Sequence, residues 1–263
     1  MINPFHQIPE HPEYMSTAQQ EALSRMMHVV ETKTLGVLTG EVGSGKSTLL
    51  RSMATNLSPT DYQVVYLCSS RMSPKELYGS ILKTIGEIPA FSAIKIKQQW
   101  RELLEDRARC QTRQLVVMID EAHDMPDTTL LEIRFLMTRG MEPKPPFPVI
   151  LAGQGKLRRE LNTNLMEPIA QRVSMQYHLA GMTATECSSY IDNQMKSAHL
   201  DRPVFTEGAV KLIHATSQGI PRVVNLLCGN ALILVNQKGE TAIDERHVGS
   251  VVSDLEKQRG NKN

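Results

Sequence analysis

Cysteine is scarce and scattered: Cys68, Cys110, Cys187 and Cys228 stand far apart with no CxxC pair. That spacing excludes the usual zinc-ligand pattern and offers no disulfide framework, so a reducing compartment is the expectation. Long apolar runs are missing as well, and nothing approaches the roughly 18 residues of a spanning helix. The N-terminal stretch MINPFHQIPEHPEYM has neither the charged n-region nor the apolar h-region of a signal peptide. A cytoplasmic protein without a membrane partner follows as an expectation. Neither sign of charge dominates, with 29 Lys and Arg against 28 Asp and Glu. Nucleic-acid binding would therefore have to come from a local patch. Internal repeats and low-complexity tracts are also wanting.

What remains is an ordinary globular composition, 41% apolar and 22% charged over 263 residues. That length accommodates one large α/β domain, or a core of roughly 150 to 200 residues with a small appended domain. The most informative stretch is LGVLTGEVGSGKSTLL at 35–50, an apolar strand, a glycine-rich turn and the start of a helix. Gly40, Gly45, Lys46 and Ser47 match G-x-x-x-x-G-K-[ST], the loop whose backbone N–H groups curl around a phosphate at a helix N-terminus. The candidate nucleotide-binding set is Gly40, Glu41, Val42, Gly43, Ser44, Gly45, Lys46, Ser47 and Thr48. Lys46 is expected to reach the β- and γ-phosphates of ATP, and the Ser47 hydroxyl to ligate Mg²⁺.

Elsewhere strands alternate with helices. Prolines 4, 9 and 12 suit an extended N-terminal arm on the main domain, anchored by Phe5 and Ile8, before a helix capped by Ser16 or Thr17 that runs to about Glu31. Tyr62 to Cys68 reads as a strand, and Ser73-Pro74-Lys75-Glu76 as the capped start of a helix ending near Ile85. A further helix is expected over 92–113, with Ile96, Trp100, Leu103 and Leu104 on one side. Leu115 to Ile119 has the unbroken apolar character of a central parallel strand. A helix over 127–139, a proline-rich loop over 142–148 and a strand over 149–152 follow. The pattern points to a doubly wound parallel α/β sheet. Beyond Gly181 it changes: Thr183 and Glu186 form a capping box, helices are expected at about 184–198, 206–216, 221–238 and 244–257, and no strand signal appears. Disorder is expected in the polar tail from Glu256.

The third strand ends in Asp120-Glu121, which narrows the chemistry to hydrolysis. Asp120 is placed to hold Mg²⁺, and Glu121 to act as general base on the attacking water. The alternative for Glu121 is a cap on the next segment. His123, in the DEAH stretch at 120–123, reads as a surface or capping residue.

This order of motifs resembles the AAA+ ATPases, and within them the ExeA/GspA-like group together with the transposition ATPases TnsC, TniB and MuB. The resemblance covers roughly residues 4–255 and rests on GEVGSGKST at 40–48, VVMIDEAHDMP at 116–126, ILAGQGKLRREL at 150–161, EPIAQRV at 167–173 and SQGIPRVVNLL at 217–227. It implies a three-layer P-loop core with a parallel sheet over 16–180, after an arm at 1–15, and a C-terminal all-helical lid over 181–263. It further implies that Gln154 acts as sensor 1, Arg172 as a finger completing a neighbour's site, and Arg222 as the sensor by which the lid reads the nucleotide. The alternatives are a polar strand end, a surface ion pair and a helix N-terminal charge. Thr138 and Gln154 both depart from residues common among relatives, which bears on turnover rate.

An arginine supplied in trans implies self-assembly into a ring or helical filament of roughly six or more subunits per turn. ExeA-type proteins carry a membrane span and a wall-binding region after the ATPase; their absence here favours the transposition type. By resemblance, the partners are then duplex DNA and a transposase, with target-site selection and transposase activation as the function. Lys83, Lys95, Lys97 and Arg101 are candidate phosphate contacts, with a solvated helix face as the alternative. An ATPase of a secretion or envelope system and a replication helicase loader are the other readings.

Overall fold

Apolar runs rich in Val, Ile and Leu form the buried strands of a parallel sheet. A computed structural model describes residues 3–5, 14–68, 71–110, 112–198 and 204–259. In chain order the first elements are α1 (Thr17–Thr32), β1 (Leu35–Gly40), α2 (Lys46–Asn56), β2 (Tyr62–Cys68), α3 (Pro74–Thr84), α4 (Ala93–Arg109), β3 (Gln114–Asp120) and α5 (Asp127–Leu136). There follow β4 (Val149–Gly153), α6 (Gly155–Leu161), α7 (Glu167–Ala170) and β5 (Val173–Leu179), then the helices α8 (Ala184–Ser197), α9 (Glu207–Ser217), α10 (Pro221–Lys238) and α11 (Glu245–Arg259). The chain divides into two compact units, one of Gln20–Val42 with Lys46–Leu179, the other of Met1–Gln19, Gly43–Gly45 and Ala180–Asn263.

The first unit is a parallel P-loop fold. Its five strands run in the order β2-β3-β4-β1-β5, all parallel. Central β1 and β4 are buried throughout, and β3 in all but its first residue. Such strands have helices over both faces and need no polar alternation. Because the strands share one direction, the carboxyl ends of β1, β3 and β4 lie along a single edge. Register sets that edge: Cys68 stands opposite Asp120, Ile119 opposite Leu151, and Thr39 opposite Gly153.

The strand β5 was not among those expected, because its burial alternates as befits a sheet edge and its polar members Ser174, Gln176 and His178 break any apolar run. It pairs with β1 along its length, from Leu35↔Val173 to Gly40↔Leu179. Two helices are shorter than their patterns suggest. The expected helix at 92–113 stops at Arg109, and that at 127–139 gives way at Met137 to turns, with the Thr138 hydroxyl bonded back to the Arg134 carbonyl at 2.7 Å. The expected capping box at Thr183/Glu186 is present, and the expected cap at Ser73 proves to be a capping box as well, with Glu76 bonded back to the Ser73 N–H.

Trp100 anchors α4. It is 1% exposed, packs edge-on against Tyr78 and Phe147 at centroid distances of 6.0 and 5.6 Å, and donates its indole N–H to the Leu136 carbonyl at 3.0 Å.

The second unit is helical around its own core of Ile191, Ile213, Val224, Cys228 and Val248. One parallel bridge, Phe205↔Ile243, interrupts the all-helical expectation for this stretch. Phe5 is buried here, edge-on to Phe205 at 6.0 Å, which places it in the helical core instead of on the main domain. Ile8, its expected companion, lies outside the described residues. Gly219 is required by close approach: at φ 69° it accepts the Met182 N–H on its carbonyl at 2.9 Å, and a Cβ there would meet the Met182 carbonyl oxygen at 2.0 Å. The tail that was expected to be disordered from Glu256 continues as helix to Arg259.

Truncating Trp100 to Ala removes the largest buried side chain and strands the Leu136 carbonyl. A loss of about 3–5 kcal/mol is expected, measured by urea unfolding followed by circular dichroism.

Candidate functional site

The turn after β1 takes the shape its glycines permit. Gly43 and Gly45 have φ of 83° and 102°, in the region where a side chain is strained. Gly43–Gly45 groups by its contacts with the helical unit. Within that unit the Arg222 N–H donates to the Gly43 carbonyl at 3.3 Å, and a Cβ on Gly43 would lie 2.5 Å from the Arg222 Cβ. The Ser44 hydroxyl is buried and has no hydrogen-bond partner among the described residues, as expected of a cradle built for an anion.

Lys46 opens α2 at 6% exposure and donates its Nζ to the Gly40 and Glu41 carbonyls, each at 2.9 Å. A buried ammonium at the mouth of a glycine-rich turn and a helix N-terminus suits an anionic phosphate. Ser47 and Thr48 follow it on the first turn of α2, while Val42 at the crest of the loop is 53% exposed.

The carboxyl end of β3 carries Asp120, 1% exposed, and three donors meet its carboxylate. The Ser47 hydroxyl reaches Oδ2 at 2.6 Å, the Tyr66 hydroxyl reaches the same oxygen at 2.8 Å, and the Glu121 N–H reaches Oδ1 at 2.9 Å. Ser47 and Asp120 thus present a hydroxyl and a carboxylate side by side, a hard oxygen pair that suits Mg²⁺. Burial first, and then the bond to Asp120, hold the Tyr66 phenol well above its usual pKa. Burial together with the Asp120 and Glu121 charges likewise raises the Cys68 thiol.

Glu121 sits in the left-handed region at φ 54° and ψ 33°, with its side chain 42% exposed. A non-glycine residue held there is strained, and such strain gathers at functional sites. His123 is the unexpected neighbour. Expected at the surface, it is 6% exposed, because the short 3₁₀ turn Ala122–Asp124 folds it back against β4. Its Nδ1 lies 3.3 Å from Glu121 Oε2 and 3.4 Å from the Gln154 backbone nitrogen, able to donate to the first when protonated or to accept from the second when not. Lys156 closes the group by donating Nζ to the His123 carbonyl at 3.1 Å. Gln154 itself stands at the N-cap of α6, just past β4, and its side chain does not cap the helix.

The remaining candidates are dispersed. Arg172 is exposed, makes no ion pair among the described residues and precedes Val173, which pairs with Leu35 at the start of β1. It therefore sits at the strand-start edge of the sheet, about 17–20 Å along β1 from the phosphate loop by strand rise. Lys83, Lys95 and Arg101 are exposed on α3 and α4. Lys97 is instead held by Glu132 at 2.7 Å, beside Tyr78, whose hydroxyl bonds the same carboxylate. Lys97 and Arg101 line a cavity of about 560 Å³ between α3, α4 and the end of α5.

Two residues at this site, Tyr66 and His123, carried no functional signal in the sequence. Tyr66 reads as one more aromatic of a strand, and only the β2–β3 register brings it to Asp120.

A family model described as an AAA domain matches residues 28–161. General secretion pathway protein A of Aeromonas hydrophila is 29% identical over 234 residues, covering 88% of this chain and 42% of that protein. This chain thus spans about two fifths of that relative's length. Among solved structures, the Aeropyrum pernix ORC2 protein in its ADP form is similar with a TM-score of 0.64 at 15% identity, over 95% of this chain and 71% of that chain. The Aeropyrum pernix ORC1 protein in complex with DNA gives 0.63 at 15% identity, over 97% and 69%. Identities that low show the fold alone, whereas the family model spans half the chain: the chain belongs to the AAA domain family of P-loop ATPases.

Proposed function

We propose that the protein is an ATP-hydrolysing assembly switch that oligomerises on duplex DNA and regulates DNA transposition by selecting target sites and engaging a transposase. The observation that carries the hydrolytic part is the meeting of Ser47, Tyr66 and the Glu121 N–H on the single buried carboxylate of Asp120, beside Lys46.

In this reading the loop from Gly40 to Thr48 binds the phosphates of ATP, and Lys46 exchanges its two carbonyl partners for phosphate oxygens. Ser47 and Asp120 hold Mg²⁺, which when bound offsets the negative charge on the β- and γ-phosphates. Glu121 takes a proton from the attacking water as the water oxygen bonds to the γ-phosphorus and the bond to ADP breaks. Gln154 orients that water, and His123, with Nδ1 beside both Glu121 and the Gln154 backbone, positions Glu121 when that nitrogen carries a proton. Arg222 reads the nucleotide. Arg172, far along β1 from its own phosphate loop, serves the site of an adjacent subunit, so full activity requires assembly.

For the partner, exposed Lys83, Lys95 and Arg101 support phosphate contacts of the sequence-independent, salt-sensitive kind. Lys97, already committed to Glu132, would have to leave that ion pair to join them. The fold is shared with a protein solved in complex with DNA. A second reading, an ATPase of a secretion or envelope assembly, is favoured by the 29% identity to General secretion pathway protein A. Electron microscopy with duplex DNA and a non-hydrolysable ATP analogue separates the two. Nucleotide-dependent rings or filaments on DNA are expected, and absence of DNA binding at low salt would sink the first reading.

Lys46→Ala is expected to abolish nucleotide binding in calorimetry. Glu121→Gln should retain binding while its turnover falls at least about 100-fold; unchanged hydrolysis would remove Glu121 from the general-base role. His123→Ala is expected to lower kcat about tenfold with KM for ATP unchanged, roughly the worth of one hydrogen bond to a charged group. His123→Asn, whose side-chain amide can place an N–H donor near the Nδ1 position, should recover part of that loss in the same steady-state assay.

A further inference from the structure

We propose that Tyr66 is a built-in competitor of the metal: its hydroxyl occupies the oxygen of Asp120 on which Mg²⁺ loading depends, and it must let go for loading to be complete. The residue then sets the Mg²⁺ concentration at which the nucleotide is held. The proposal rests on the reading of Ser47 and Asp120 as the metal pair and adds a control to it.

An ionised carboxylate only accepts hydrogen bonds, with about two positions on each oxygen. On Asp120 those positions are unequally used. The Glu121 N–H at 2.9 Å turns Oδ1 back toward the chain. Oδ2 takes two donors, the Ser47 hydroxyl at 2.6 Å and the Tyr66 hydroxyl at 2.8 Å, and is thereby full. A cation bonded to Ser47 Oγ stands beside Oδ2, and a water on that cation can reach Oδ2 only by taking a donor's place. Ser47 is not the donor to leave, because its own oxygen is the ligand. Tyr66 is the other.

The two donors are also held differently. Ser47 belongs to the first turn of α2, next to buried Lys46. Tyr66 comes from β2, the edge strand of the sheet, where it stands opposite Met118 and is 45% exposed. A ring so placed can turn toward solvent without opening a cavity, and its hydroxyl then exchanges the carboxylate for water. A phenol carries its proton at neutral pH, so it brings no negative charge to a metal and only draws on that of Asp120. Competition and mere support therefore predict opposite signs. If the Tyr66 bond competes, removing it strengthens the hold on Mg²⁺; if it only fixes the carboxylate in place, removing it weakens that hold.

The test is calorimetry on the full chain with a non-hydrolysable ATP analogue, once in Mg²⁺ and once in EDTA, for the unaltered chain and for Tyr66→Phe. The variant is expected to match the unaltered chain in EDTA and to bind about tenfold more tightly in Mg²⁺, the size of one hydrogen bond to a charged group. With Mn²⁺ as the probe, paramagnetic resonance of the free ion should show half-maximal loading of the variant at correspondingly lower metal. A second measurement needs no variant to fold: adding Mg²⁺ to the analogue complex of the unaltered chain should blue-shift its tyrosine absorbance as the hydroxyl leaves the carboxylate. Tyr66→Phe, checked for folding by circular dichroism, should lack that shift. Equal or weaker Mg²⁺-dependent binding by the variant, or no tyrosine shift in the unaltered chain, would overturn the competition while the metal reading stands. If Mg²⁺ leaves the affinity of the unaltered chain where EDTA has it, the metal reading of Ser47 and Asp120 falls and the proposal falls with it.

Discussion

The hydrogen bond from Ser47 to Asp120 is the contact around which the first unit is arranged. It joins the first turn of α2 to the end of β3, two elements separated by a whole strand–helix–helix excursion. It can form only because parallel strands end on one edge and β4 is the sole strand between β1 and β3. Asp120 is nearly inaccessible, so its charge must be met by donors that the fold delivers, and three arrive. A buried carboxylate without them would destabilise the core it occupies.

Around that bond the site is layered by how firmly each part is held. Lys46, Ser47 and Asp120 belong to regular elements and are locked by short contacts. Glu121 and His123 lie on a left-handed residue and a single 3₁₀ turn, where longer contacts of 3.3 and 3.4 Å leave room for adjustment. The phosphate-binding part is thus rigid, and the part proposed to activate water is the one that can move.

Legibility in the sequence follows the range of the interaction. The loop at Gly40–Ser47 and the Asp120-Glu121 strand end could be read because their chemistry is written in consecutive residues. The parallel sheet could be read from the buried runs of β1, β3 and β4, and the family from longer motifs. Tyr66 and His123 could not, since one depends on strand register and the other on a turn that folds a polar ring inward against β4. The strand β5 was hidden by its edge position, where polar residues alternate outward. Ile88, Phe91 and Ile94 are instructive in the opposite direction. As letters they resemble core residues such as Ile96 and Trp100 on the same helix and its approach, and only the coordinates separate the buried set from the exposed one.

Trp100 is the only tryptophan in the chain, and its ring partners Tyr78 and Phe147 and its hydrogen-bond acceptor Leu136 belong to the sheet-containing unit. Intrinsic tryptophan emission is therefore a reporter of one half of the molecule. Loss of the indole bond to Leu136 will redden and dim it, whereas melting of α8 to α11 will leave it untouched. Fluorescence and far-ultraviolet signals should part company wherever the two units unfold at different points, and their separation measures how independently the helical unit stands.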